Sequence, residues 1–179
     1  MVDMTKTQKG LVGEELFAAH ALITSYGQVE LFKPESDDDH DDFAGGRKGK
    51  TPALTLQIKT AFELKSRQVH FSVSVPRAGV RESPAFVYVI QYVAALDVPA
   101  TWVVPSPEWD QVVRITRTRD YGSMFEFRAR PAGRDTMSPW RIERAELGSR
   151  LLVLIDALPP GTRAPRIAGS HLARRRRRR

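Results

Sequence analysis

Residues 41–60 read DDFAGGRKGKTPALTLQIKT, and the spacing of apolar residues after Pro52 decides how this part of the chain is built. Leu54, Leu56 and Ile58 alternate with Thr55, Gln57 and Lys59, a period of two that predicts a strand. A second strand begins at Asp42-Phe43, so the intervening GGRKGK (Gly45 to Lys50) becomes the turn of a hairpin. Gln57 and Lys59, two apart, leave the same face of the sheet. Ile58 points to the opposite face, into the core, while its backbone carbonyl stays available to a ligand. Asp42 can approach Gln57 and Lys59 across the hairpin.

The same stretch contains AGGRKGKT (Ala44 to Thr51), which satisfies the loose pattern of a phosphate loop. That loop requires a buried strand before it and a helix after it, whose N-terminal N–H groups and dipole hold the phosphates. Here DDDHDDF precedes the pattern and a strand-like alternation follows it. LLVLID (Leu151 to Asp156) imitates an apolar strand ending in a magnesium-binding aspartate, but its leucines also fit a helix. A hairpin turn with solvated lysines is favoured, and a nucleotide-hydrolysing loop at Ala44 to Thr51 is the lesser alternative.

Outward from the hairpin, Thr5 or Thr7 caps a helix running to about Ser25, with Leu11, Phe17 and Leu22 expected on its buried side and Gly27 as its stop. Val29 to Phe32 reads as a short strand ended by Pro34. Val69 to Val75, Phe86 to Val93, Thr101 to Val104 and Met124 to Ala129 read as further strands. A short helix follows Pro107. A last helix spans about Ile142 to Leu158, with Leu147, Leu151, Leu154 or Ile155, and Leu158 on one face. Arg114, Arg117 and Arg119 are read as a basic turn. The expected architecture is α/β or α+β, a single sheet flanked by helices. Residues 1–162 form one domain and 163–179 a basic tail.

Composition narrows the function classes. With 179 residues, 41% of them apolar and 27% charged, one globular domain with a real core is expected. Cysteine is absent, which removes disulfides, thiolate metal sites and cysteine nucleophiles. No apolar run approaches the roughly 20 residues of a membrane helix, and MVDMTKTQKG lacks the apolar core of a signal peptide; no membrane partner and a cytoplasmic location are expected. The net charge of +7 owes six of its 28 basic residues to Arg174 to Arg179; the other 22 nearly balance 21 acidic residues. The preceding Gly169 to Leu172 reads as a cloning junction, so the run is given little weight as a nucleic-acid arm. The cluster Arg47, Lys48 and Lys50 is a more local basic feature.

Hydrolysis of a phosphodiester with a divalent ion needs hard oxygen ligands and a cation or base near the attacking water. The hairpin offers Asp42, Gln57 and Lys59, and the first helix adds Glu14 and Glu15. Adjacent helical residues point about 100° apart, so at most one of these two faces the site. In the acidic run Asp37 to Asp42, Asp42 is chosen because it directly precedes Phe43; Asp41 is second. A calcium loop is excluded, since its sixth position is Asp42 and its twelfth Lys48. His20, His40, His70 and His171 lack the paired spacing of a zinc site. Trp102, Trp109 and Trp140 are expected to be core or partly buried.

Gly10 to Glu14 (G-x-x-G-E) on the first helix, then Asp-Asp-Phe, then Gln57-Ile58-Lys59 resembles the PD-(D/E)XK nuclease superfamily, in particular its Holliday-junction-resolvase-like and Q-x-K members. The resemblance covers residues 6–62 and extends more weakly to TWVVPSPEW. It implies a restriction-endonuclease-like fold, a central mixed β-sheet flanked by helices. It further implies that Glu14, Asp42 and Gln57, with the Ile58 carbonyl, hold Mg²⁺ or Mn²⁺, and that Lys59 orients or activates the attacking water. DNA is the implied partner, with homodimerisation left open, and Arg47, Lys48 and Lys50 would touch backbone phosphates. Asp41 stands where the motif has proline, and Gln57 offers an oxygen without a charge in place of a carboxylate. The alternative is a catalytically inactive nucleic-acid-binding module of the same fold.

Overall fold

The computed structural model describes residues 4–34, 41–65, 69–77, 80–94, 97–118 and 122–164. Asp37 to Asp39, His40, Arg119, His171 and all of the basic tail beyond Ala164 lie outside the described residues.

Helix α1 (Lys6–Thr24) starts at Thr5, whose hydroxyl accepts the Gln8 N–H at 3.2 Å while the Gln8 side chain accepts the Thr5 N–H at 2.8 Å. This reciprocal cap satisfies two end donors of the helix. The chain leaves the helix through Tyr26 and Gly27, both at positive φ. The buried residues of α1 are Gly13, Phe17 and Ala21, a line at four-residue spacing. Leu11 and Leu22, expected on the buried side, are instead 52% and 43% exposed. Two of the three residues on the contact line, Gly13 and Ala21, are small and let the helix approach the sheet closely, while Phe17 fills the core between them.

The main sheet has six strands in the order β1-β2-β3-β5-β6-β9. Strands β1 (Val29–Phe32), β2 (Phe43–Arg47) and β3 (Leu54–Ala61) form an antiparallel meander. Strand β5 (Phe86–Ala94) runs parallel to β3, and β6 (Asp97–Pro105) and the two-residue β9 (Arg141–Ile142) complete the sheet antiparallel. The fold is α/β, as expected, but a single sheet flanked by helices is not what forms. Strands β4 (Phe71–Pro76), β7 (Val113–Thr118) and β8 (Gly122–Ala129) make a second sheet, ordered β4-β8-β7. Arg114 and Arg117 therefore lie on β7, not in a turn.

Each face of the main sheet has its own core. On one, Phe17 and Ala21 of α1 and Leu147 and Leu151 of α3 (Leu147–Ala157) pack with Leu54, Leu56, Ile58, Val87 and Val89. On the other, Tyr88, Ile90, Trp102 and Val104 pack with Phe71, Val75, Phe125 and Phe127 of the small sheet and with Trp109 of α2 (Trp109–Val112). Tyr88 stacks on Trp109 with ring centroids 4.0 Å apart. Trp102 and Trp109 are core residues, and Trp140 is partly buried against the second cluster. No helix among the described residues is long and apolar enough to cross a membrane.

Candidate active site

The hairpin has its start and end where the alternation places them, although Gly45 and Gly46 belong to β2 rather than to the turn. The reversal occupies Lys48 to Lys50, with the Lys50 N–H donating to the Arg47 carbonyl at 2.9 Å. Gly49 takes a φ of +70° there, a conformation costly for residues with a Cβ. Thr51 is followed by strand β3 rather than by a helix, so the Ala44 to Thr51 pattern lacks the helix N-terminus that a phosphate loop uses.

At the other end of the hairpin, Phe43 is paired with Leu56, which sets Asp42 opposite Gln57. The Asp42 N–H donates to the Leu56 carbonyl at 3.0 Å, and the Ile58 N–H donates to Asp42 Oδ2 at 2.5 Å. The carboxylate thus continues the ladder where β2 begins. In a strand, the N–H and C=O of one residue leave by the same edge, so the Ile58 carbonyl faces this edge as well. Gln57 and Lys59 project from the face opposite Leu56 and Ile58. Gln57 is buried, 4% exposed, beside its parallel partner Tyr88.

Glu14 reaches this neighbourhood because of its predecessor. A Cβ built on Gly13 would lie 2.0 Å from Thr60 Oγ1, so only a glycine lets α1 sit this close to β3. The buried Gln91 amide, from the adjacent strand, donates to the Gly13 carbonyl at 3.0 Å. Glu14 is consequently held at the level of Thr60, two residues or about 7 Å along β3 from Ile58. Glu14 thus lies on the α1 side of the sheet, the face of Ile58 and Thr60, whereas Gln57 and Lys59 leave the opposite face beside Tyr88 and Ile90.

The Glu14 carboxylate is engaged by Lys33, which follows β1. Lys33 Nζ lies 3.0 Å from Glu14 Oε2, 3.0 Å from Glu15 Oε1 and 5.7 Å from the Phe43 ring centroid. Hydrogen bonds to Glu15 and then Glu14 hold the ammonium pKa above the usual lysine value. Glu14 is the less exposed of the two carboxylates, at 22% against 63%. Among the described residues, no three His, Cys, Asp or Glu side chains form a group able to hold a metal ion. A divalent ion at this edge would have to combine Asp42 and Glu14 with the Ile58 carbonyl and the Gln57 amide. That set is all oxygen, which suits magnesium or manganese.

The basic residues of the hairpin sit at its far end. Five strand residues at about 3.3 Å each separate them from Asp42, roughly 16 Å in all. Lys48 and Lys50 are exposed. Arg47 is bound in a two-pronged contact with Asp156, Nε to Oδ1 at 2.7 Å and NH2 to Oδ2 at 2.5 Å. That contact holds the Asp156 pKa below the usual carboxylate value.

Three residues absent from the sequence reading border the site. Two of them are Lys33, on Glu14, and Gln91, on the Gly13 carbonyl. Arg81, in the loop entering β5, places NH1 2.9 Å from Asp41 Oδ2. It carries no periodic or motif signal, and only the fold brings it to the hairpin. No protein-family model matches the chain, and neither curated proteins nor solved structures include a match.

Proposed function

We propose that the chain is a metal-dependent nuclease that hydrolyses phosphodiester bonds of DNA, with a site related to that of the PD-(D/E)XK superfamily. The observation that carries this reading is the bond from the Ile58 N–H to Asp42, which fixes the carboxylate beside the strand segment Gln57-Ile58-Lys59. A mixed sheet with helices on one face and Glu14 held beside Thr60 is compatible with it.

Asp42, Glu14, the Ile58 carbonyl and the Gln57 amide would hold Mg²⁺ or Mn²⁺. Such an ion, when bound, lowers the pKa of water and offsets phosphate charge. The remaining steps belong to the chain. Lys59, on the face it shares with Gln57, orients the attacking water and stabilises negative charge on the phosphate. Glu14 supplies the second negative charge that Gln57 lacks, which requires its pair with Lys33 to loosen. Lys48 and Lys50 contact phosphates remote from the cleaved bond, which positions the duplex without reading its sequence.

A second reading, a catalytically inactive nucleic-acid-binding module, is favoured by the neutral Gln57 and by the engagement of Glu14 with Lys33. Incubation of plasmid and branched DNA with Mg²⁺, Mn²⁺ or chelator separates the two. The nuclease gives metal-dependent products that vanish in folded Asp42→Ala and Lys59→Ala variants. Undiminished cleavage in both variants discards the assigned site, and DNA binding without turnover in any metal supports the inactive module.

A further inference from the structure

Arg81 is held from four sides. Its backbone N–H donates to the Tyr88 hydroxyl at 3.3 Å, and its carbonyl accepts the Ser106 hydroxyl. The guanidinium carbon lies 5.4 Å from the Phe86 ring centroid, and NH1 meets Asp41. Phe86 and Tyr88 are both core residues of β5, and Tyr88 is the register partner of Gln57. Two of the anchors of Arg81, Phe86 and Tyr88, therefore lie on the strand paired with the one that carries Gln57 and Lys59. Despite these anchors the side chain remains 31% exposed.

An exposed pair contributes little to stability, largely because ordering two long side chains loses entropy. Here the Phe86 ring and the short Asp41 side chain hold the guanidinium, and the two hydroxyls hold the backbone that carries it. A planar guanidinium fixed in this way matches the oxygens of a phosphate, which it can take in two parallel hydrogen bonds. Asp41 and Asp42 are neighbours, with Cα atoms about 3.8 Å apart. The guanidinium is thus bound to the residue that immediately precedes Asp42. The turn lysines lie at the other end of the hairpin.

We propose that Arg81 is a phosphate-binding residue of the candidate site, its guanidinium held over Phe86 and beside Asp41 to take a backbone phosphate of the nucleic acid adjacent to Asp42. This rests on the nuclease reading and deepens it. Asp41 has a distinct role: it aims the arginine, and its charge is shared with Arg81 rather than offered to a metal.

Fluorescence anisotropy of the full chain with labelled duplex and branched DNA, in chelator across a salt series, tests the assignment. One lost phosphate contact lowers the slope of log affinity against log salt by about 0.9. Arg81→Ala and Arg81→Gln are expected to show that loss with affinity reduced about tenfold. Arg81→Lys restores the slope but not all of the affinity, because a point charge lacks the fork. All variants share the same tail, so its contribution cancels. A purely structural role lowers the melting temperature and leaves the slope alone. Wild-type slopes in folded Arg81→Gln and Arg81→Lys, with wild-type cleavage retained, overturn the Arg81 assignment while the nuclease reading stands. A wild-type chain that neither binds nor cleaves any of these DNAs overturns both.

Discussion

Asp42 accepts the backbone N–H of Ile58 at 2.5 Å, so one carboxylate both completes the β2–β3 ladder and stands at the proposed metal edge. The two roles separate by substitution. Asp42→Asn keeps an acceptor for Ile58 and is expected to unfold in urea near the wild-type midpoint. Asp42→Ala leaves that N–H without its acceptor and should cost about 1–3 kcal/mol. Both should lose metal-dependent cleavage. Equal destabilisation by the two variants would mean that the Ile58 bond contributes nothing measurable.

Gly13 makes a sharper demand on stability. Alanine is the better helix former by up to about 1 kcal/mol, yet its methyl would enter the Thr60 side chain. Gly13→Ala should therefore destabilise by about 1–3 kcal/mol, the usual cost of overpacking. Adding Thr60→Ala should return part of that loss, and a double-mutant cycle in urea measures the coupling. Strictly additive effects would place the helix farther from β3 than the structure has it.

Gln57 can be converted to a charged residue of the same shape. In Gln57→Glu a carboxylate enters a buried position, so the variant should melt below wild type in chelator. If the ligand assignment is right, millimolar Mg²⁺ raises its melting temperature more than that of wild type, through preferential binding to the folded state. Calorimetry should also show tighter Mg²⁺ binding. Identical responses of the two proteins to Mg²⁺ remove Gln57 from the ligand set.

Two histidines tie stability to pH. The His20 pKa is lowered by burial and then by Arg144, and the His70 pKa by burial and then by Arg128, Lys65 and Arg130. A folded pKa below the ordinary 6.5 means that the unfolded chain binds more protons in the window beneath 6.5. Stability is thus complete above that value and falls as the pH drops through the folded pKa values. Proton NMR should place both imidazole titrations below 6.5. The fall in melting temperature from neutral to mildly acidic pH should shrink in a His20→Gln, His70→Gln variant, and an unchanged fall assigns the acid sensitivity to other groups.

The parts of the fold legible in the sequence are those set by local periodicity. Leu54, Leu56 and Ile58 reveal β3, and its alternation distinguishes a hairpin from a phosphate loop. Thr5 and Gln8 mark the start of α1. What escaped depends on partners distant in sequence. The buried side of α1 is masked in the sequence because Leu11 and Leu22 outweigh Gly13 on any hydrophobicity scale, whereas the contact with Thr60 selects for the absence of a side chain. The second sheet was missed because VRITRT carries too much charge to look like a strand, and its pairing with β8 is what makes it one. Of the candidate site, Asp42, Gln57 and Lys59 follow from the hairpin register. Lys33, Arg81 and Gln91 had no signal, since their positions are set by tertiary contacts alone.

The connection from β3 to its parallel neighbour β5 passes through β4, whose partner among the described residues is β8: Phe71 lies against Ala129. On a ribosome this pairing has a definite order. The hairpin that carries Asp42 and Lys59 can close as soon as residue 61 has emerged, and it involves short loops that form quickly. Strand β4 must wait until β8 has been synthesised, leaving the apolar face of β5 uncovered in the interval. Nascent chains halted after β5 but before β8 has emerged would hold the candidate catalytic hairpin while still exposing Tyr88 and Ile90, and this is the stage at which aggregation or chaperone capture would act on the protein.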